Sequence, residues 1–297
     1  MHLFYLVFFG LQVVTASGNE WGYSGKHAPK SWPGICRTGK EQSPINIVTD
    51  DAIRTDLGAL KFDRYDFAFS ATLSNTGHSI QIKLDGVPIH LSGANLPSVY
   101  VLEQMHFHWS AEHTVDDVRD PLELHFVHYD NQYANFSEAT QHKNGIAVVA
   151  VLFEFDSYDN PDLTPILETT KIISHWVGKS MAPIRSKLIP LLLLPRDHTT
   201  YYHYEGSLTT PGCQESVTWF VMTEKVPISE TQVNVFKQVH SNNGTLKSNY
   251  RPVQQLGDRN VYHRLDGYAV SSASLYASSV ICMVVSVLLV NLLRKKF

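Results

Sequence analysis

Three histidines, His106, His108 and His125, have the residue type and the spacing to hold a metal ion. Side chains alternate faces along an extended chain. In the segment 99–109 this puts Tyr100, Leu102, Gln104, His106 and His108 on one face, and Val99, Val101, Met105, Phe107 and Trp109 on the other. The second set is apolar and suits a core, while the first aims two imidazoles the same way with an amide behind them. The segment 122–129, read likewise, places Glu123, His125 and Val127 together, with Leu124, Phe126 and His128 opposite. The stretch 110–121 is short enough to join antiparallel neighbours, and such a hairpin sets His125 beside the His106/His108 pair. Three neutral imidazoles on a sheet surface can bind a tetrahedral cation and leave its fourth position to water, the arrangement of a catalytic zinc site and not of a structural one. Zinc so held lowers the pKa of its bound water enough to supply a zinc-bound hydroxide at physiological pH. Gln104 is placed to hold the other ring nitrogen of His106, and Glu123 that of His125, which would fix tautomer and orientation. A lone histidine, or the His-x-His pair alone, reads as polar surface. Three on converging faces, with two supports behind them, favour a metal site. The parity of His128 turns it away.

The elements that must position these residues are mostly strands. Segments 73–84, 99–109, 122–129, 146–155 and 216–222 are rich in β-branched and aromatic residues, as strands require. The segment 146–155 is almost unbroken apolar sequence, the pattern of a strand covered on both faces. Helical periodicity is confined to 163–177, near Pro165, and to 229–240, where Ser229 is an N-cap followed by Glu230. The expected fold is a single, mainly β domain with peripheral helices (α+β), running from residue 19 to about 264.

A hydrophobic content of 43% against 18% charged residues supports a substantial core and sets aside disorder. The net charge of -4 leaves no electrostatic footprint for nucleic acid. The two ends point to export and to a membrane. Residues 3–14 are apolar and lead into Thr15, Ala16, Ser17 and Gly18, so 1–18 reads as a secretory signal, although His2 is the only candidate charge in its first region. Residues 275–293 are apolar apart from Ser278, Ser279, Ser286 and Asn291, and end at Arg294, Lys295 and Lys296. That length suits a bilayer span of roughly 20 residues. One reading is a stop-transfer helix with its basic end in the cytoplasm. The other, preferred here, is a lipid-anchor (GPI) signal, with attachment in the small residues 271–274 of a 265–274 stalk and removal of the hydrophobic 275–297 segment. Of the cysteines Cys36, Cys213 and Cys282, the last lies in the apolar tail. The other two are the only possible pair in the globular part, bridged if exported or free if cytosolic. Asn135-Phe136-Ser137 and Asn243-Gly244-Thr245 are glycosylation sequons that agree with an exported, extracellular domain at the cell surface.

The strings MHFHWSAEHTV and LELHFVHY, with WGY at 21–23, QSPINI at 42–47, NTGHS at 75–79, YEGSLTTPGC at 204–213 and NYRPVQQL at 249–256, resemble the α-class carbonic anhydrases, in the family's order and over nearly the whole domain. The resemblance implies a twisted, largely antiparallel ten-stranded sheet with a conical cleft ending at zinc. It also implies reversible hydration of carbon dioxide to bicarbonate and a proton. It assigns His106, His108 and His125 as zinc ligands, Gln104 and Glu123 as their supports, Thr209 and Glu112 as the pair that orients the hydroxide, and His78 as the proton shuttle. Val127, Val148, Leu208, Thr209, Thr210 and Trp219 match the substrate-binding wall, and Cys36 and Cys213 the disulfide of extracellular members. The connection from His108 to Glu112 is shorter than in the familiar animal enzymes. Thr76 and Gln81 stand where the best-studied members carry asparagines that order the proton-relay water, which bears on turnover rate.

An alternative is a catalytically silent member serving as an adhesion or receptor ectodomain, a class expected to lack a zinc ligand. None is missing here. A zinc hydrolase or esterase on the same scaffold is a second. Expected partners are carbon dioxide and bicarbonate, the membrane through the anchor, and bicarbonate transporters.

Overall fold

The computed structural model describes residues 21–178 and 181–265. The expected leader at 1–18, the stalk beyond 265, the 275–297 segment and Cys282 lie outside the described residues. Among those described, no helix is long and apolar enough to cross a membrane.

Ten strands run edge to edge through one sheet. In chain order they are β1 (Ile53–Arg54), β2 (Ser70–Asn75), β3 (Ile80–Asp85), β4 (Tyr100–Trp109), β5 (Leu122–Asp130), β6 (Ile146–Asp156), β7 (Ala182–Pro183), β8 (Tyr201–Gly206), β9 (Val217–Met222) and β10 (Tyr262–Arg264). Their spatial order is β7-β2-β3-β4-β5-β6-β9-β8-β10-β1, and Leu60–Asp63, His90–Gly93 and Val226–Ser229 attach beside this path. Most neighbours are antiparallel, and the parallel pairs on the path are β6 with β9 and β10 with β1. This is the mainly β, single-domain architecture expected.

The central strands separate two cores. On one face Met105, Phe107, Trp109, Leu124, Phe126, Val149, Val151 and Phe153 pack beneath the helices α1 (Thr164–Ile173) and α2 (Glu230–Phe236). On the other, Val127, Val148, Ala150, Trp219, Val221 and Tyr204 form a second cluster. Strand β6 feeds both, so its unbroken apolar run reflects burial on two sides, at about 1.5–3 kcal/mol for each large side chain.

Local structure departs from the sequence pattern in four places. The segment 73–84 is two strands, β2 and β3, paired through a turn at 76–79. There Gly77 has φ of +84° and the Thr76 hydroxyl accepts the amides of His78 and Ser79. Within β4 a register shift falls between Leu102 and Gln104. Such a bulge inverts the facing of everything before it. Tyr100 and Leu102 therefore join the helix-covered core with Met105 and Phe107, and do not share the histidine face as simple alternation predicts. Helix α1 stops at Ile173, short of the expected 177. The Gly178 amide that would continue it goes to the Asn75 carbonyl, and the Ser174 carbonyl accepts from Asn75 and from the His240 amide. Helix α2 begins with a capping box between Ser229 and Gln232 and ends at Phe236, because His240–Ser241 pairs with Gly244–Thr245 instead.

Cys36 and Cys213 form a disulfide across a sequence separation of 177, packed with Trp32. A loop that long constrains the unfolded chain by up to about 5 kcal/mol in the chain-entropy treatment. We expect the Cys36→Ser/Cys213→Ser double variant to lose about 2–5 kcal/mol in urea unfolding. An unchanged midpoint would show that the bridge contributes nothing to stability.

Candidate metal centre

The β4–β5 hairpin sets His106 opposite His125 and His108 opposite Glu123. The ligand atoms of His106, His108 and His125 lie within 4.8 Å of one another, with the Nε2 atoms of His106 and His108 3.1 Å apart. Each ring is held from behind by an atom that can only accept a hydrogen bond. His106 Nδ1 lies 2.9 Å from Gln104 Oε1, His108 Nδ1 2.7 Å from the Asn249 carbonyl, and His125 Nε2 2.6 Å from Glu123 Oε1. The nitrogens facing these acceptors carry the protons, leaving Nε2 of His106, Nε2 of His108 and Nδ1 of His125 as lone pairs toward the shared centre. Burial pushes all three rings down, His108 to about 4, and the neighbouring imidazoles lower His106 further. They are thus neutral near pH 7. Three convergent, unprotonated nitrogens fit a borderline divalent ion such as zinc.

Glu123 is fully buried and accepts four hydrogen bonds: the His113 and His125 rings on Oε1, and the amides of Glu112 and His113 on Oε2. Burial alone would raise its pKa, but the His113 and His125 rings hold it well below the usual carboxylate range. The His113 ring continues to the Tyr204 hydroxyl at 2.7 Å, which donates to Ser43 Oγ at 2.9 Å. Ser43 and Ser207 exchange amide-to-hydroxyl bonds in both directions. Gly206 allows this approach, since a Cβ there would sit 2.2 Å from Ser43 Oγ.

A cavity of about 280 Å³ opens above the three rings. Its apolar side is a cross-strand row next to the histidine row: Val127, Val148 and Trp219 pair in register across β5, β6 and β9, and Leu208 and Phe136 complete it. Thr209, Thr210, Thr76, Gln81 and Gln104 supply the polar side. His78 also lines the cavity, its ring stacked on Trp21 at 3.6 Å between centroids, and burial lowers its pKa.

Glu112 lies fully buried beside the rings, its Oε2 3.5 Å from His108 Nε2. Oε1 accepts the Arg251 amide at 2.8 Å. Burial raises its pKa to about 7, against the lowering effects of the His125 ring, a Thr209 hydroxyl contact and the Arg251 amide. The Thr209 hydroxyl faces this carboxylate, whose Oε2 has no other hydrogen-bond partner among the described residues.

Most residues singled out from sequence line one cavity, with Glu112 and Glu123 buried beside the rings, while His128 points into the opposite core against Tyr65. Asn135 and Asn243 stand apart from the centre as exposed positions, Asn135 capping the short helix Phe136–Ala139. Sequence reasoning missed His113, Tyr204, Ser43, Phe136, Arg251 and Asn249. Only His113, next to Glu112, offered a local signal. The Asn249 contribution is a main-chain carbonyl, and its side chain bonds the carbonyls of His78 and Phe107 and the amide of Trp109.

A largely antiparallel sheet whose central hairpin converges three histidine nitrogens beneath a half-apolar cavity presents a candidate metal centre. The family model for eukaryotic-type carbonic anhydrase matches residues 25–265. Carbonic anhydrase 4 of Oryctolagus cuniculus is 35% identical over 246 residues, covering 79% of each chain. Carbonic anhydrase 6 of Mus musculus is 32% identical over 273 residues, 84% of this chain and 81% of its own. Putative carbonic anhydrase 5 of Caenorhabditis elegans is 34% identical over 290 residues, 92% and 91% of the two chains. The chain belongs to the eukaryotic-type carbonic anhydrase family.

Loss of a ring-orienting acceptor typically costs 10–100-fold in metal affinity. Gln104 is only partly buried, so Gln104→Leu should fold normally and bind zinc roughly tenfold or more weakly in chelator competition. Unchanged affinity would show that Gln104 does not orient His106.

Proposed function

We propose that this chain catalyses the reversible hydration of carbon dioxide to bicarbonate and a proton, with zinc held by His106, His108 and His125. The observation that carries this reading is the set of three inward lone pairs, each fixed by an acceptor behind its ring, at the base of a cavity with one apolar wall. Zinc held by these three rings would lower the pKa of water to near neutral, chemistry for which carbonic anhydrase is itself the reference example.

The chain's own residues do the rest. Val127, Val148, Leu208 and Trp219 present a dry surface suited to a small neutral substrate, and Thr210 borders it. Glu112 is fixed by the Arg251 amide and receives the Thr209 hydroxyl hydrogen. The Thr209 oxygen is then left to accept, which dictates the direction in which a reacting O–H points. His78 carries the released proton to buffer: its ring lines the cavity, stacked on Trp21, and an imidazole can both take up and release a proton.

The layout that accompanies this activity is a signal at 1–18, the catalytic domain at 19–264, a stalk at 265–274 and a lipid-anchor signal at 275–297. It puts the domain outside the cell, with glycans on Asn135 and Asn243 and a bicarbonate transporter as a fitting neighbour. The disulfide supports an oxidising compartment.

A zinc-loaded sample should hold one zinc per chain and hydrate carbon dioxide in stopped-flow well above the buffer blank. No rate above blank would favour a silent binding domain. In the same assay His78→Ala should slow turnover on the order of 10²-fold in weak buffer and recover with added imidazole, whereas equal loss in every buffer would remove His78 from the relay. A phosphatidylinositol-specific phospholipase should release the activity from membranes, and retention would favour a spanning helix.

A further inference from the structure

A second histidine pair lies outside the centre just described. His175 follows the end of α1, and His240 begins the small hairpin His240–Ser241/Gly244–Thr245. Their ring centroids are 3.9 Å apart with planes tilted by 39°. The first ring is exposed and the second partly so.

The two backbones that carry these rings are clamped together. The His240 amide donates to the Ser174 carbonyl at 2.9 Å. The Asn75 amide group donates to both the Ser174 carbonyl, at 2.8 Å, and the His240 carbonyl, at 2.9 Å. One main-chain bond and the bridging Asn75 side chain therefore hold the backbone just before His175 against that of His240. His240 Nδ1 also lies 3.1 Å from the Gln238 carbonyl, which can only accept. That bond puts the ring proton on Nδ1 and leaves Nε2 with a free lone pair, the same arrangement that prepares a histidine as a ligand. A hydroxyl, Thr245 Oγ1, lies 3.5 Å from that nitrogen, a contact too long to compete with a metal.

We propose that His175 and His240 form a surface site for one divalent transition ion of the copper, nickel and zinc group, with solvent filling the remaining positions. Imidazole donors select these ions over magnesium or calcium, which prefer oxygen. Two rings whose backbones are already clamped and whose centroids lie 3.9 Å apart need only rotate about their side-chain bonds to converge on one ion, which limits the ordering that opposes binding. The site is independent of the reading proposed for the three-histidine centre.

The test uses the zinc-loaded full chain titrated with Cu²⁺ and with Ni²⁺, followed by calorimetry, and by electron paramagnetic resonance for copper. Magnesium serves as the control. We expect one equivalent beyond the resident zinc, a copper spectrum with two imidazole nitrogens, and no magnesium binding. His175→Ala and His240→Ala should each weaken that equivalent at least tenfold, leave zinc content and carbon dioxide hydration unchanged, and abolish the rise in Tm that Ni²⁺ gives the parent chain. Equal affinity in parent and variants would place the ion elsewhere and overturn the proposal. Absence of any equivalent beyond zinc would reduce the pair to packing alone. If the centre proves to hold no zinc, the difference between parent and variants still decides the matter.

Discussion

The centre depends on one constraint: an imidazole can offer a lone pair inward only if its opposite nitrogen has somewhere to put a proton. The structure meets this with three unlike acceptors, an amide oxygen on the same strand, a main-chain carbonyl from the far end of the domain, and a buried carboxylate. The carboxylate asks most of its surroundings, since an ionised group without partners in the interior costs several kcal/mol. Four hydrogen bonds to Glu123 answer that demand. The ring of His113 then extends the network through Tyr204 to Ser43 and Ser207, tying β8 and the N-terminal segment to the rear of the centre.

Polar and apolar functions are sorted by register. The histidine row, Gln81–His106–His125, and the apolar row, Val127–Val148–Trp219, are adjacent cross-strand lines on the same face of the sheet. A slip of one residue would send either row into the opposite core. The bulge in β4 belongs to this economy. It lets the strand give Tyr100 to the helix-covered core and Gln104 to the cavity wall, which strict alternation forbids.

Strand parity made His106, His108, His125, Gln104 and Glu123 legible, because it is a local property that a short apolar pattern reports well. It failed before Gln104, where a single extra residue changes facing without any change in composition. Helix ends at Ile173 and Phe236 were overrun because the competing bonds come from Asn75 and from the 240–245 hairpin, which no window over the helix contains. Asn249 was invisible as a support for His108, since its contribution is a backbone oxygen 141 residues away. Glu112 and Thr209 carry no local signal of their own and are paired only by family resemblance, as burial between distant segments leaves no periodic trace.

All three candidate ligands ride on one hairpin, whereas the groups that surround them come from both ends of the chain: Trp21 near the start, Asn249 and Arg251 near the end. The contacts that gather the ligands are therefore short-range, and those that complete the reaction space are long-range and carry the larger loop-closure cost. A chain truncated before Asn249 would lack the carbonyl that orients His108, and one begun after Trp21 would lack the indole against which His78 stacks. Closing the hairpin thus brings the three rings together, while aiming all three lone pairs waits on the arrival of the far end of the domain.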